Sequence, residues 1–240
     1  MQNQPASLFR QPVPIDPLRH ATAGLIPQAG FEFAASLTLI PLGIEELAPA
    51  SAHVPILFGG EGGCPQGLYG IRPDHNLFVG SDGRWRPTCY IPLTVRHYPF
   101  HVQNVVGGPQ LTIDEAAEMF RAEGGAPLFE NGDVSSLHRA AFDACLESAA
   151  DLDRAADFTL ALQDYGLLKP CDLHMMLADG ERIHLAGHYQ LDGASLEVLS
   201  DSGVLDLRRR GFLKPLYAVL LSQERWDGLM QLGGVAARGI

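Results

Sequence analysis

Apolar residues follow two rhythms along this chain, and the change from one to the other organises it. Between residues 36 and 79 they come in short runs, at 36–42, 54–58, 67–71 and 76–79. Gly and Pro separate these runs at Gly59-Gly60-Glu61-Gly62-Gly63 and Arg72-Pro73-Asp74, and Asp82-Gly83 adds a tight-turn signal, so the runs predict strands joined by loops. Two short helices are predicted among them, over 45–52 and over 112–122, the second with Asp114 and Glu115 near its positive end. From Val134 the rhythm lengthens. Val134, Leu137, His138, Ala141, Phe142, Cys145 and Leu146 recur at i, i+3, i+4, i+7, i+8, i+11 and i+12, the apolar stripe of a helix behind an Asp133 cap.

A further helix runs through Phe158, Leu162 and Tyr165 to Gly166, with Pro170 just beyond its end. Residues 172–178 and 181–189 then flank Asp179-Gly180, the dipeptide suited to a two-residue type I′ hairpin turn. Helices resume at 194–199, 204–210 and 213–229. Elements segregated in this way predict an α+β fold. It has a mostly antiparallel sheet in the N-terminal half and a helical C-terminal half containing one β-hairpin. Residues 1–20 carry Pro5, Pro12, Pro14 and Pro17 and read as an extended arm, leaving 21–240 as one domain.

Composition narrows the classes of partner. Hydrophobic residues at 46% and charged residues at 19% suit a chain that buries a full core. A net charge of −11, with 17 Lys and Arg against 28 Asp and Glu, argues against nucleic acid. The basic run Arg208-Arg209-Arg210 reads as a solvated cluster at a helix end. No apolar run reaches the 18 or so residues of a membrane span, and the N-terminus lacks a basic region followed by an apolar one, so a cytoplasmic location is expected. Cys64, Cys89, Cys145 and Cys171 form no CxxC pair, which predicts reduced thiols rather than a disulfide framework or zinc knuckle.

Signatures of common chemistry are absent: the chain contains no GxSxG elbow, no GxxxxGK[ST] phosphate loop and no HExxH helix, and no cofactor is expected. The glycine run at 59–63 has no Lys-Ser/Thr behind it and reads as a loop. A two-residue turn at Asp179-Gly180 would set Cys171 opposite His188 and Met175 opposite His184, with Leu173 and Ala186 between the pairs. Cys171, His184 and His188 are therefore candidate ligands for a soft or borderline metal such as copper or zinc, against the alternative of hydrogen-bonded structural histidines. His97 and His101 bracket Tyr98-Pro99-Phe100, where the proline argues against a helical i, i+4 metal pair. His75, beside Asp74, is a candidate general base.

One series of stretches in the first half is Val54-Pro55-Ile56-Leu57-Phe58, Leu68-Tyr69-Gly70-Ile71, Asn76-Leu77-Phe78-Val79, Asp82-Gly83-Arg84-Trp85, Tyr90-Ile91-Pro92 and Tyr98-Pro99-Phe100. Pro127-Leu128-Phe129, Gly166-Leu167-Leu168, Ala178-Asp179-Gly180, Leu185-Ala186-Gly187-His188-Tyr189 and Arg209-Arg210-Gly211-Phe212-Leu213 extend it. In the order and spacing of these stretches the chain resembles the SapC family of bacterial surface-layer-associated proteins. What the resemblance implies is association with a surface layer or envelope; it brings no catalytic residues with it. Trp85, Tyr90, Tyr98 and Phe100 read either as a packed aromatic cluster or as a groove that holds a peptide or ligand. The expected function is that of a non-catalytic accessory protein binding a surface-layer or envelope protein, or its modifying enzyme. The alternative is an enzyme, or enzyme subunit, that modifies peptide side chains with a metal or with an acid–base pair built from His75, His184 or His188.

Overall fold

A computed structural model describes residues 8–59 and 63–235. In chain order the strands are β1 Pro12–Pro14, β2 Gly24–Leu25, β3 Leu39–Pro41, β4 Ile56–Phe58, β5 Pro65–Leu68, β6 Phe100–Val105 and β7 Gly108–Asp114. They continue with β8 Phe120–Arg121, β9 Ala126–Pro127, β10 Phe129–Glu130, β11 Asp133–Val134, β12 Leu168–Met176 and β13 Arg182–Leu191. The α-helices are α1 Leu47–Ser51, α2 Leu93–Arg96, α3 Ser136–Asp164, α4 Gly193–Glu197, α5 Asp201–Arg209, α6 Leu213–Ser222 and α7 Trp226–Leu232. All strand pairs are antiparallel, and the fold is α+β as the sequence predicts.

The principal sheet has the order β12-β13-β4-β5-β3, so the C-terminal hairpin completes a sheet begun by the N-terminal half. β4 is buried throughout, and Phe58 at its end meets Phe158 of α3, which in turn meets Phe212 ahead of α6. Ile40, Leu57, Leu68, Leu162, Leu207, Leu216 and Val219 fill the same core. A second core gathers Ile15, Phe100, Leu111, Ile113, Leu128 and Cys145 under the β1-β7-β6 sheet.

One helix serves both cores. The two helical stripes predicted on either side of Leu146 form a single α3 of 29 residues, about 43 Å long at 1.5 Å per residue. Its first half packs Cys145 into the smaller core and its second half packs Phe158 and Leu162 into the larger. Burial at both ends favours continuity over a break, because a break would leave helix ends to be capped between the cores. The N-cap is Ser135, whose hydroxyl accepts from the His138 amide at 3.1 Å, rather than Asp133, which lies in β11.

Two local expectations are corrected. Residues 112–122 are not a helix: Thr112 and Asp114 end β7, which pairs with β6 on one side and β1 on the other. Long-range pairing overrides the local helical signal there. Residues 76–79 make only an isolated bridge between Val79 and Trp85, closing the tight turn in which the Gly83 amide donates to the Gly80 carbonyl. The glycine run at 59–63 lies partly outside the described residues. Within the described part of the N-terminal arm, Pro12, Val13 and Pro14 pair with Asp114, Ile113 and Thr112 as an edge strand, a place where proline is tolerated.

The hairpin turn also differs. The Gly180 amide donates to the Leu177 carbonyl and the Leu177 amide to the Glu181 carbonyl, so three residues, Ala178, Asp179 and Gly180, make the loop. Gly180 supplies the positive φ of +86° that this turn requires. The register is thereby moved by one residue: Leu173 faces Leu185, His174 faces His184 and Met175 faces Ile183. A bulge at Ala186-Gly187, with Gly187 at φ +79°, then restores the pairing of Cys171 with His188.

Candidate functional site

The shifted register decides which side chains share the outer face of the hairpin. Cys171, Met175 and Ile183 point into the principal core, and Leu173 and Leu185 pack against it, which locks the strands against turning over. The alternate residues Asp172, His174 and His184 are consequently exposed together. His174 and His184 stack with ring centroids 4.1 Å apart and planes 10° from parallel. His184 Nε2 lies 2.6 Å from Asp172 Oδ1 and His174 Nε2 lies 3.7 Å from the same oxygen. Their ligand atoms all lie within 4.8 Å of one another.

The hairpin tip is anchored from outside the sheet. Arg72 pairs with Asp179 and reaches Glu181 at 2.9 Å, tying the turn to the loop after β5. The rigid tip, the core-facing row and the pairing of Tyr189 with Phe58 of β4 together hold the exposed face in place.

Of the metal candidates read from sequence, the structure keeps only His184 in this group. Cys171 is 1% exposed, and burial, then the Asp172 charge, push its thiol above the ordinary value. His188 sits opposite Cys171 at the bulge, its Nδ1 3.0 Å from the Ala186 carbonyl. Met175, expected opposite His184, is buried and faces Ile183 instead. Asp172 and His174 were the residues sequence reasoning passed over. Their signal is an acid and an imidazole two apart on one strand, with a second imidazole just past a turn.

His75 is exposed beside a cavity of about 290 Å³ that Arg72, Leu77 and Leu232 also line. No hydrogen bond or ion pair reaches its imidazole among the described residues. His97 and His101 are brought together after all, both lining an 80 Å³ cavity with Phe100 and Cys145, where burial lowers both imidazoles below their ordinary value.

The four aromatic candidates do not line one groove. Trp85 belongs to the principal core, against Phe31, Tyr69 and Phe78, with Tyr90 packed at its margin. Phe100 belongs to the second core, and Tyr98 to a small third cluster with Ala117 and Met119, stacked on Phe33 at 4.2 Å. Trp85, Tyr98 and Phe100 are each less than a tenth exposed. The polar end of Tyr90 is committed inside the fold: its hydroxyl donates to Glu46 at 3.1 Å and accepts from Arg96. Burial raises the Glu46 carboxyl, against the amide bonds from Gly43 and Leu93 that stabilise its charged form.

Exposed apolar surface lies instead on the C-terminal helices. In α6, Pro215, Leu216, Val219 and Ser222 face inward, which turns Tyr217 and Leu221, one turn apart, to solvent. These two are 54% and 56% exposed. Val204 and Leu205 on the neighbouring α5 are also exposed, with Arg208 one turn beyond Val204. A cavity of about 480 Å³ opens beside α7 and is lined by His53, Arg86, Cys89, Glu224 and Arg225 among others.

No helix among the described residues is long and apolar enough to cross a membrane. The model of one protein family, described as SapC, matches residues 15–229 of the 240, from the start of the second core to α7. No curated protein and no solved structure matches the chain.

Proposed function

The chain belongs to the SapC family, and from that premise we propose that it is a non-catalytic accessory protein of the cytoplasm. Its role is to bind a surface-layer or envelope protein while that protein is assembled, exported or modified. The observation that carries this reading is the exposed apolar pair Tyr217 and Leu221, one turn apart on α6; Val204 and Leu205 on α5 are exposed as well. A tyrosine placed on a rigid helix contributes a large contact area with little entropy lost, and exposed leucines beside it add area that is favourable to cover. Lys214, one turn before Tyr217 on the same helix, is paired with Glu45 at 3.1 Å, so the partner surface that fits this pair is chiefly apolar.

The reading is tested with a photo-reactive residue installed at position 217, and separately at the exposed Val106 in the β6–β7 turn, in the native host. The expected result is a cross-link from position 217, and not from 106, to a surface-layer or envelope protein. Equal labelling from both positions, or none from 217, contradicts it.

A further inference from the structure

The geometry points to a binding site for a divalent first-row transition metal on the outer face of the β12–β13 hairpin, formed by Asp172, His174 and His184; we propose that Zn²⁺ occupies it. The donor set is two imidazoles and one carboxylate, which suits zinc and its neighbours in the series and does not suit Mg²⁺ or Ca²⁺, whose ligands are oxygens. An ion bonded at about 2.0–2.2 Å to each donor needs the donors to stand about 3.3 Å apart. The present separations from Asp172 Oδ1, 2.6 Å to His184 and 3.7 Å to His174, lie on either side of that figure. To hold one ion, the two stacked imidazoles turn out of their parallel arrangement so that their ring planes converge beside Asp172.

Three features of the fold favour these donors. His174 and His184 are direct cross-strand partners, so their Cβ atoms are held at the closest spacing a sheet allows. Asp172 precedes His174 by two residues and shares its face. The buried opposite face and the Arg72 anchor fix the strands, so little order has to be created on binding.

Without metal, the Asp172 carboxylate holds His184 through Nε2. Binding places the ion between that nitrogen and the carboxylate, and the neutral imidazole then carries its N–H on Nδ1. Because all three residues are exposed, water completes the coordination shell and at least one position stays open to an incoming ligand. None of the three packs in a core, so none is needed to hold the hairpin together. The site is independent of the α6 stripe and stands whether or not that surface binds a protein.

The test is calorimetric titration of Zn²⁺ into the full chain, prepared without a histidine tag and freed of metal by a chelator. One equivalent should bind saturably. Asp172→Ala, His174→Ala and His184→Ala should each weaken binding by at least about tenfold, since loss even of an outer partner of a ligand costs about 10- to 100-fold. His188→Ala should bind like the unaltered chain. Circular dichroism of each variant reports folding, and imidazole NMR signals provide a second readout: Zn²⁺ should shift those of His174 and His184. No saturable binding, or a stoichiometric site that survives His174→Ala and His184→Ala, overturns the proposal.

Discussion

The Tyr98 hydroxyl donates to Asp114 Oδ2 at 3.0 Å, joining the end of the α2–β6 connection to the last residue of β7. Asp114 is fully buried and also accepts from the amides of Arg10, Gln11 and Ala116. One carboxylate thus ties the N-terminal arm, the β7 turn and a core tyrosine to a single point. Burial alone would raise this carboxyl, but the three amides and the hydroxyl outweigh it and hold it below the ordinary value of 3.8. Tyr98 responds in the other sense, its hydroxyl pushed up to about 12 by burial and by the adjacent carboxylate.

Asp114→Asn should therefore cost about 3 kcal/mol at neutral pH, because an amide NH₂ cannot accept the bonds that Asp114 Oδ2 now receives from Arg10 and Tyr98. A carboxyl held lower in the folded chain than in the unfolded one contributes stability above pH 3.8, and that contribution is lost as pH falls through the folded value. Urea unfolding measured from pH 7 down to pH 2 should show the gap between the unaltered chain and Asp114→Asn narrowing only below about pH 4. A gap that stays constant throughout would mean that the charge of Asp114 contributes nothing.

Trp85→Ala should lower stability by about 3–5 kcal/mol, the range for removing a buried aromatic. Trp85 is 6% exposed, with ring centroids 5.8 Å from Phe31 and 5.5 Å from Tyr69, so its loss opens a cavity in the principal core. Denaturant midpoints check this. A change of less than about 1 kcal/mol would place Trp85 outside the load of the core and return it to the set of contact residues.

The four thiols should differ in reactivity. Burial pushes the Cys145 thiol up to about 12, and Cys171 is buried as well, whereas Cys64 and Cys89 are partly exposed. Timed alkylation of the native chain at pH 8 should modify Cys64 and Cys89 first and leave Cys145 until last, because the thiolate is the reacting species. Modification of Cys145 at the rate of Cys64 would contradict the packing of α3 against β6 and β7.

Much of the architecture was legible in the sequence because hydrophobic period reports burial. The α3 stripe, the helices after Leu191 and the β12–β13 pair all follow from it. What period cannot report is how far apart two cores lie, and that distance is why one α3 replaces two helices. Nor does it carry the pairing of Asp114 with Pro12 across a hundred residues, which turned a predicted helix into the end of a strand.

The candidate metal site turned on one residue of hairpin register. Asp179-Gly180 suits a two-residue turn, but Gly180 serves equally at the last position of a three-residue loop. That choice exchanges Met175 for His174 opposite His184 and brings Asp172 to the same face. The aromatic residues gave the opposite difficulty. Sequence marks Trp85, Tyr98 and Phe100 as large and apolar, and only the packing tells that they lie within three cores rather than along one surface.

The central claim is that the α6 stripe binds an envelope or surface-layer protein, and paired capture tests it most directly. The tagged chain and its Tyr217→Asp, Leu221→Asp variant are recovered from the native host, and co-purifying proteins are quantified by mass spectrometry. Both side chains are exposed, so the variant should retain the unfolding midpoint of the unaltered chain. The account predicts a surface-layer or envelope protein enriched with the unaltered chain and reduced at least tenfold with the folded variant. An equal yield of that protein with both chains, or no such protein with either, would contradict it.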